Sequence, residues 1–174
     1  MATAVGAQRA GDAETGRGSH LLFAFFRVAV ALLWIENVGW KRPPDFGALR
    51  RFTGDAVEYP VFAPFSWVVE HVVLPNFTFF AWMTLLVEAS IGAFLLIGLA
   101  TRFWAVVGIG QSMAIMLSVM NAPNEWEWSY YLMILAHVAL FATAAGRSYG
   151  LDGVLRPVWR RSESRLSHLA LRLS

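Results

Sequence analysis

The chain has 174 residues, of which 57% are hydrophobic and only 15% are charged, and its net charge is +2. Soluble domains carry about 25% charged residues, so this composition predicts an integral membrane protein of one domain. The slight positive charge gives no indication of a nucleic-acid partner. The absence of cysteine excludes disulfide chemistry and thiolate-ligated metal or iron–sulfur centres carried by this chain alone.

Four apolar stretches are each close to the length that crosses a bilayer core of about 30 Å. They predict an all-α integral membrane protein, a four-transmembrane-helix bundle with spans at residues 20–40, 77–100, 103–120 and 128–145. The membrane domain covers residues 20–150. Residues 1–19 are polar and lack the apolar core of a signal peptide, so we expect a disordered tail there.

Two segments outside the spans are predicted to be helical. Residues 41–75 are too many for a structureless loop, and their apolar stretch Ser66–Leu74 is too short to span. It predicts an interfacial or re-entrant helix in this first outer loop, lying over the bundle. Residues 151–174 predict a basic amphipathic tail helix on the membrane surface, with these arginines near lipid headgroups: Arg156, Arg160, Arg161, Arg165 and Arg172.

The basic residues predict the orientation. Four spans put both termini on one side, where nine arginines collect, against four basic residues on the other side. The positive-inside rule therefore predicts that both termini are cytoplasmic. The nine are Arg9, Arg17, Arg102, Arg147, Arg156, Arg160, Arg161, Arg165 and Arg172; the four are Lys41, Arg42, Arg50 and Arg51.

Several polar groups lie inside the predicted spans. Arg27 and Glu88 are costly in a bilayer unless paired; one interpretation is a structural ion pair between them, and the other is a proton path or a ligand contact. His137 is either a hydrogen-bonded core histidine or a ligand. No His, Asp or Glu cluster has the spacing of a metal site. A group of aromatics forms either an interfacial belt or a lateral pocket for a flat ring: Trp40, Trp67, Trp126, Trp128, Tyr130 and Tyr131.

Three motifs follow one another around the spans. They are Gly39-Trp40-Lys41 after the span with Arg27, Glu88 followed by Gly98-Leu99-Ala100-Thr101-Arg102, and Gly146-Arg147-Ser148-Tyr149-Gly150-Leu151-Asp152. Over residues 20–156 they resemble the DoxX/DoxD family of small four-helix bacterial membrane proteins, which includes the small subunit of thiosulfate:quinone oxidoreductase. Arg27, Lys41, Glu88 and Arg102 match family positions, without a catalytic role attached. Asp152 is expected to cap the tail helix.

The resemblance implies a multi-pass protein of the bacterial inner membrane. It would support a quinone-linked oxidoreductase rather than catalyse alone, by anchoring partners and contributing to a quinone site. Quinone is the implied ligand, with no covalent or metal-ligated cofactor. The expected partners are membrane lipids and either a protein carrying a redox cofactor or further copies of the chain.

Residue roles follow from this implication. Arg27 and Glu88 would supply buried charge or a proton relay. The expected quinone or lipid contacts are Asn37, Lys41, Gln111, Tyr130 and His137. The main alternative is a purely structural accessory subunit of a larger membrane complex, in which the buried charges serve packing only. A small transporter is a further alternative, although no inverted repeat is visible.

Overall fold

Helices make up most of the chain. A computed structural model describes residues 16–174 in full and, for residues 2–15, only the backbone of the first helix. The described residues contain no strand, and their helices are α1 (Ala2–Val38), α2 (Gly47–Glu58), α3 (Ala63–Val68), α4 (Phe77–Ile97), α5 (Thr101–Val119), α6 (Glu127–Thr143), α7 (Leu151–Arg160) and α8 (Arg165–Leu173). The sequence predicted a disordered tail at residues 1–19, whereas α1 begins at Ala2 and includes the fully described residues 16–19.

Within the part of the chain that the structure describes, three helices are long and apolar enough to cross a membrane: Gly16–Val38 within α1, then α4 and α5. Helix α6 has 17 residues, so it is about 26 Å long at about 1.5 Å per residue. That is nearly one turn short of a bilayer core of about 30 Å. The expectation of apolar spanning helices is therefore confirmed for three segments, and the fourth span at residues 128–145 stays a prediction.

The four long helices pack around an apolar centre. Ala31 and Trp34 of α1 meet Ile91 and Leu95 of α4, and Leu140 of α6 completes the same buried cluster. Tight turns join α4 to α5 at residues 98–100, so these two neighbours run antiparallel. The bundle therefore has two distinct ends, and different segments cover each.

Helix α4 ends earlier than predicted, at Ile97, because Gly98 takes a left-handed conformation with φ 68°. The amide of Gly98 donates to the Leu95 carbonyl and that of Leu99 donates to the Phe94 carbonyl. This is the Schellman arrangement, in which glycine avoids the steric penalty of a Cβ at positive φ. The sequence analysis extended the span to residue 100 because the apolar run continues past the glycine.

Asp152 fastens the turn after α4. Its carboxylate accepts hydrogen bonds from the backbone amides of Ala100 (2.7 Å) and Thr101 (2.9 Å), and its own amide donates to the Gly98 carbonyl (2.8 Å). The side chain is fully buried. Asp152 thus caps α5, not the tail helix as expected, because the first amides of α5 have no partner within their own helix. We call residues 98–101 together with 145–152 the clamp.

Residues 47–73 cover the opposite end of the bundle, and we call them the roof. The predicted helix near Ser66–Leu74 is present as α3, continued by a π-helical turn at Val69–Val73. Whether it is interfacial or re-entrant stays a prediction. Helix α2 was not predicted, although Leu49, Phe52 and the buried Ala56 recur at the spacing of one helical face.

The basic tail folds as two helices rather than one. Ser164 begins α8, and its hydroxyl accepts a hydrogen bond from the Ser167 amide, as a helix N-cap does. Arg156, predicted near lipid headgroups, instead donates to the carbonyls of Leu171 (2.8 Å) and Ser174 (3.1 Å). It therefore joins α7 to α8, while the exposed arginines of the tail remain expected headgroup contacts.

We predict that Gly108→Ala lowers the apparent melting temperature of the detergent-purified protein by several degrees. A Cβ at Gly108 would collide with Cδ2 of the buried His137 ring, so α5 and α6 would have to separate, at a cost of roughly 1–3 kcal/mol. Gly110→Ala is the matched control, since a Cβ there meets nothing within 4 Å. Equal melting temperatures for both variants would contradict this packing.

We also predict that Asp152→Asn destabilises the protein by roughly 1–3 kcal/mol, because an amide oxygen can replace only one of the two carboxylate acceptors. Chemical unfolding of the purified protein followed by tryptophan fluorescence measures the change. Glu163→Gln, on the exposed residue between α7 and α8, is the control. A D152N variant as stable as E163Q would show that the clamp contributes nothing.

Candidate functional site

A cavity of about 710 Å³ lies beneath the roof, between the ends of α1, α4, α5 and α6. Its walls are mainly apolar and come from every one of these elements. The lining residues that carry the argument below are Asn37, Trp40, Lys41, Glu88, Gln111, Ala114, Glu125 and Tyr130. Volumes of about 300–1,000 Å³ are typical of small-molecule sites, so the cavity is large enough for a ring compound.

A buried ion pair lines the cavity. Lys41 Nζ lies 2.5 Å from Glu88 Oε2, and the two side chains are only 3% and 0% exposed. Asn37 donates to the same carboxylate oxygen at 3.2 Å, and Gln111 donates to the other oxygen at 3.0 Å. The carboxylate inside helix α4 is thus neutralised by one cation and solvated by two amides, as a charge in an apolar span requires.

Lys41 is positioned by the residues that end α1. Its ammonium donates to the Asn37 carbonyl at 3.0 Å and lies 4.2 Å from the centre of the Trp40 ring. The Trp40 indole in turn donates to the Asn37 side-chain oxygen. Burial lowers the pKa of Lys41, and the adjacent Glu88 opposes that shift. The last turn of α1 and the loop directly after it therefore position the lysine of the ion pair.

A second polar group lines the cavity next to the α5–α6 loop. The Tyr130 hydroxyl donates a hydrogen bond to Glu125 Oε2. Tyr130 is 6% exposed, whereas Glu125 is half-buried. Of the six aromatics considered for a belt or a pocket, Trp40 and Tyr130 line the cavity. The other four are exposed: Trp67, Trp126, Trp128 and Tyr131.

His137 lies outside the cavity lining, and protein groups occupy both of its ring nitrogens. The Trp34 indole donates to Nε2 at 2.8 Å, and Nδ1 lies 2.7 Å from the Met133 carbonyl. The Nδ1 atom therefore carries the proton and donates it to that carbonyl. This geometry is that of a hydrogen-bonded core histidine, so neither ring nitrogen of His137 is available to a ligand in the cavity.

Arg27 does not pair with Glu88, contrary to the structural interpretation of the sequence. Its guanidinium donates to the carbonyls of Leu95 (2.5 Å) and Leu96 (2.7 Å) at the end of α4. These carbonyls lie two helical turns, about 10 Å, from Glu88. The last turn of a helix leaves its carbonyls without intrahelical donors, and its negative dipole end attracts the cation. Arg27 therefore belongs to the clamped end of the bundle.

We compared the sequence with known protein families. The family described as "TQO small subunit DoxD", TQO being thiosulfate:quinone oxidoreductase, matches residues 23–171, which is most of the chain. The chain belongs to the DoxD family. Searches of curated proteins and of solved structures gave no match. Family membership and the apolar helices together make it a membrane protein of a quinone oxidoreductase family.

The residues of the three sequence motifs lie in different parts of the structure. The motif residues Lys41 and Glu88 meet in the cavity, whereas the Gly98 and Asp152 motifs meet in the clamp. Arg102 donates to the Phe141 carbonyl at 3.2 Å and stays outside both sites. Among the described residues, no group of three or more His, Cys, Asp or Glu could hold a metal ion.

Sequence reasoning named five quinone or lipid contacts: Asn37, Lys41, Gln111, Tyr130 and His137. The first four line the cavity and His137 does not, and their contact with a ligand stays a prediction. Sequence reasoning missed Glu125, which lies in the loop before α6 and five residues before Tyr130. It also missed that Lys41, just beyond the predicted span, is the counter-ion of Glu88.

We predict that Glu88→Gln and Lys41→Met each destabilise the protein by about 3–5 kcal/mol, because each leaves one buried charge without its partner. The double variant should lose much less than the sum, since neither charge then remains. Thermal unfolding of the four proteins in one detergent measures the coupling. Glu36→Gln, on an exposed residue of α1, is the control, and strict additivity would rule out a direct pair.

Proposed function

We propose that this DoxD protein is a membrane subunit of a quinone-linked oxidoreductase and that the cavity beneath its roof binds the quinone ring. In this proposal α6 is the fourth span, both termini are cytoplasmic and the roof faces outward. The observation that supports this proposal most directly is an apolar cavity of about 710 Å³ lined by a buried ion pair and two side-chain amides.

Some N–H groups of the polar cavity residues are not used in the contacts around Glu88. An ammonium has three N–H groups, and Lys41 uses one on Glu88 and one on the Asn37 carbonyl. The side-chain amides of Asn37 and Gln111 each use one of their two N–H groups on Glu88. Three N–H groups therefore remain around one carboxylate, next to apolar walls. A neutral ring with a carbonyl oxygen matches this donor set.

The cavity fits a neutral ligand better than an anion. Its charged lining groups are Lys41, Glu88 and Glu125, one cation against two carboxylates, so the lining has a net charge of −1. A doubly negative sulfur anion such as thiosulfate would be repelled and would lose its hydration among apolar walls. We therefore assign the sulfur substrate to a partner subunit, which would also carry the electrons to the quinone.

The cavity residues would bind and orient rather than transfer electrons. A bound quinone would supply the electron-accepting group. Lys41 and the amides of Asn37 and Gln111 would hold one carbonyl oxygen near Glu88. The roof would exclude water from the ring. In the alternative, a structural accessory subunit, the same ion pair would serve only to pack α1 against α4.

The test is quinone retention after gentle detergent purification, measured by mass spectrometry of the lipid extract. We expect close to one quinone per chain in the wild type. Ala114→Phe should lower this at least about tenfold, because the new ring fills the cavity without touching the ion pair. Ala139→Phe, on the exposed face of α6, is the matched control and should retain quinone.

Two results would contradict the proposal. Wild-type protein with no quinone above a lipid blank would exclude the site, and equal retention by A114F and A139F would move it elsewhere. If Glu88→Gln changes assembly with a redox partner but leaves turnover of the assembled complex unchanged, the structural alternative is favoured instead.

A further inference from the structure

We propose that Tyr130 and Glu125 form the proton-exchange pair of the cavity, carrying protons between water and the quinone oxygen that does not face Lys41. This inference rests on the proposed quinone site and extends it. It names two residues that neither the family description nor the family motifs assign.

The first support is the position of the pair. Tyr130 and Glu125 both line the cavity, and the hydroxyl of one is hydrogen-bonded to the carboxylate of the other. Tyr130 is buried, whereas Glu125 is half-buried. A hydrogen-bonded chain of two groups thus runs from the cavity interior toward its rim, as a proton path requires.

The second support is that the ion pair in the cavity is committed to other contacts. Both oxygens of Glu88 already accept hydrogen bonds from Lys41, Asn37 and Gln111. The side chain is fully buried, so Glu88 is not placed to exchange protons with water. Tyr130 and Glu125 are the other two acidic groups of the cavity lining, and Glu125 is partly exposed.

The surroundings of Glu125 are acidic. Asp55 of roof helix α2 is close enough to interact with it, and Glu58 and Arg51 flank Asp55 on the same helix. Burial is the main cause that raises the pKa of Asp55; Glu58 and Glu125 raise it further, and Arg51 opposes them. The Asp55 carboxyl, beside Glu125, therefore holds a proton more readily than an isolated aspartate does.

The proton balance is simple. Reduction of one quinone to quinol takes up two electrons and two protons, and the electrons come from the redox partner or, in a test, from an electrode. The Glu125 carboxylate takes a proton from water and passes it to the Tyr130 oxygen, while the Tyr130 hydroxyl gives its own proton to the ligand oxygen. Glu125 is then a carboxylate again. The pair thus moves one of the two protons from water to one ligand oxygen, and the second proton reaches the oxygen that faces Lys41 from water in the cavity.

The experiment uses the full chain in nanodiscs loaded with quinone, reduced by an electrode through soluble mediators and followed by quinone absorbance. We expect Glu125→Gln and Tyr130→Phe to slow reduction at least about tenfold when compared at equal quinone content, because general acid–base catalysis contributes about 10²–10⁴-fold. Matched controls are Glu127→Gln and Tyr131→Phe, exposed residues outside the cavity lining, which should keep the wild-type rate.

A second readout separates proton transfer from a packing role. Added acetate or azide should restore much of the rate to E125Q, because a small weak acid can replace the missing carboxyl, and a packing defect would not respond. Wild-type rates in E125Q and Y130F at full quinone loading would overturn the proton-exchange pair and leave the quinone site intact. A wild type that retains no quinone would overturn the site itself.

Discussion

A carboxylate inside an apolar helix needs a counter-charge, and the roofed end of this DoxD protein is built around that need. The Glu88 side chain is fully buried, so protein groups must compensate its charge. The counter-ion comes from Lys41, which lies beyond α1 and must bend back toward α4 to reach it. Trp40 and Asn37 hold it in that direction. The position of the loop after α1, and with it the cavity wall, therefore depends on this one charge.

The middle and the C-terminal end of helix α4 need different cations. Near its middle, α4 carries a full negative charge that an ammonium neutralises. At its end, it presents carbonyls that the guanidinium of Arg27 satisfies. A flat, multi-donor guanidinium suits several carbonyls at once, and a compact ammonium suits one carboxylate. If these two cations were exchanged, each would match its partner groups less well.

Helix positions were predictable from the sequence because long apolar runs leave few alternatives in a bilayer. Partners were harder to predict. Arg27, Glu36 and Glu88 are the three charged residues inside the predicted spans, and pairing Arg27 with Glu88, the two farthest from the span ends, was the simplest hypothesis. That hypothesis is wrong because the carbonyl groups at the end of a helix can bind a buried cation, and side-chain types in a sequence do not reveal these backbone groups. Helix α2 was missed because its apolar positions are few and lie in a proline-containing loop.

Asp152 closes a turn that precedes it by fifty residues, and this affects how the chain can mature. The amides of Ala100 and Thr101 gain their acceptor only after α5, α6 and the following segment have been synthesised. Until then, the junction between α4 and α5 has two uncapped amides at the membrane surface. A ribosome must therefore deliver the last third of the protein before the middle third reaches its final geometry.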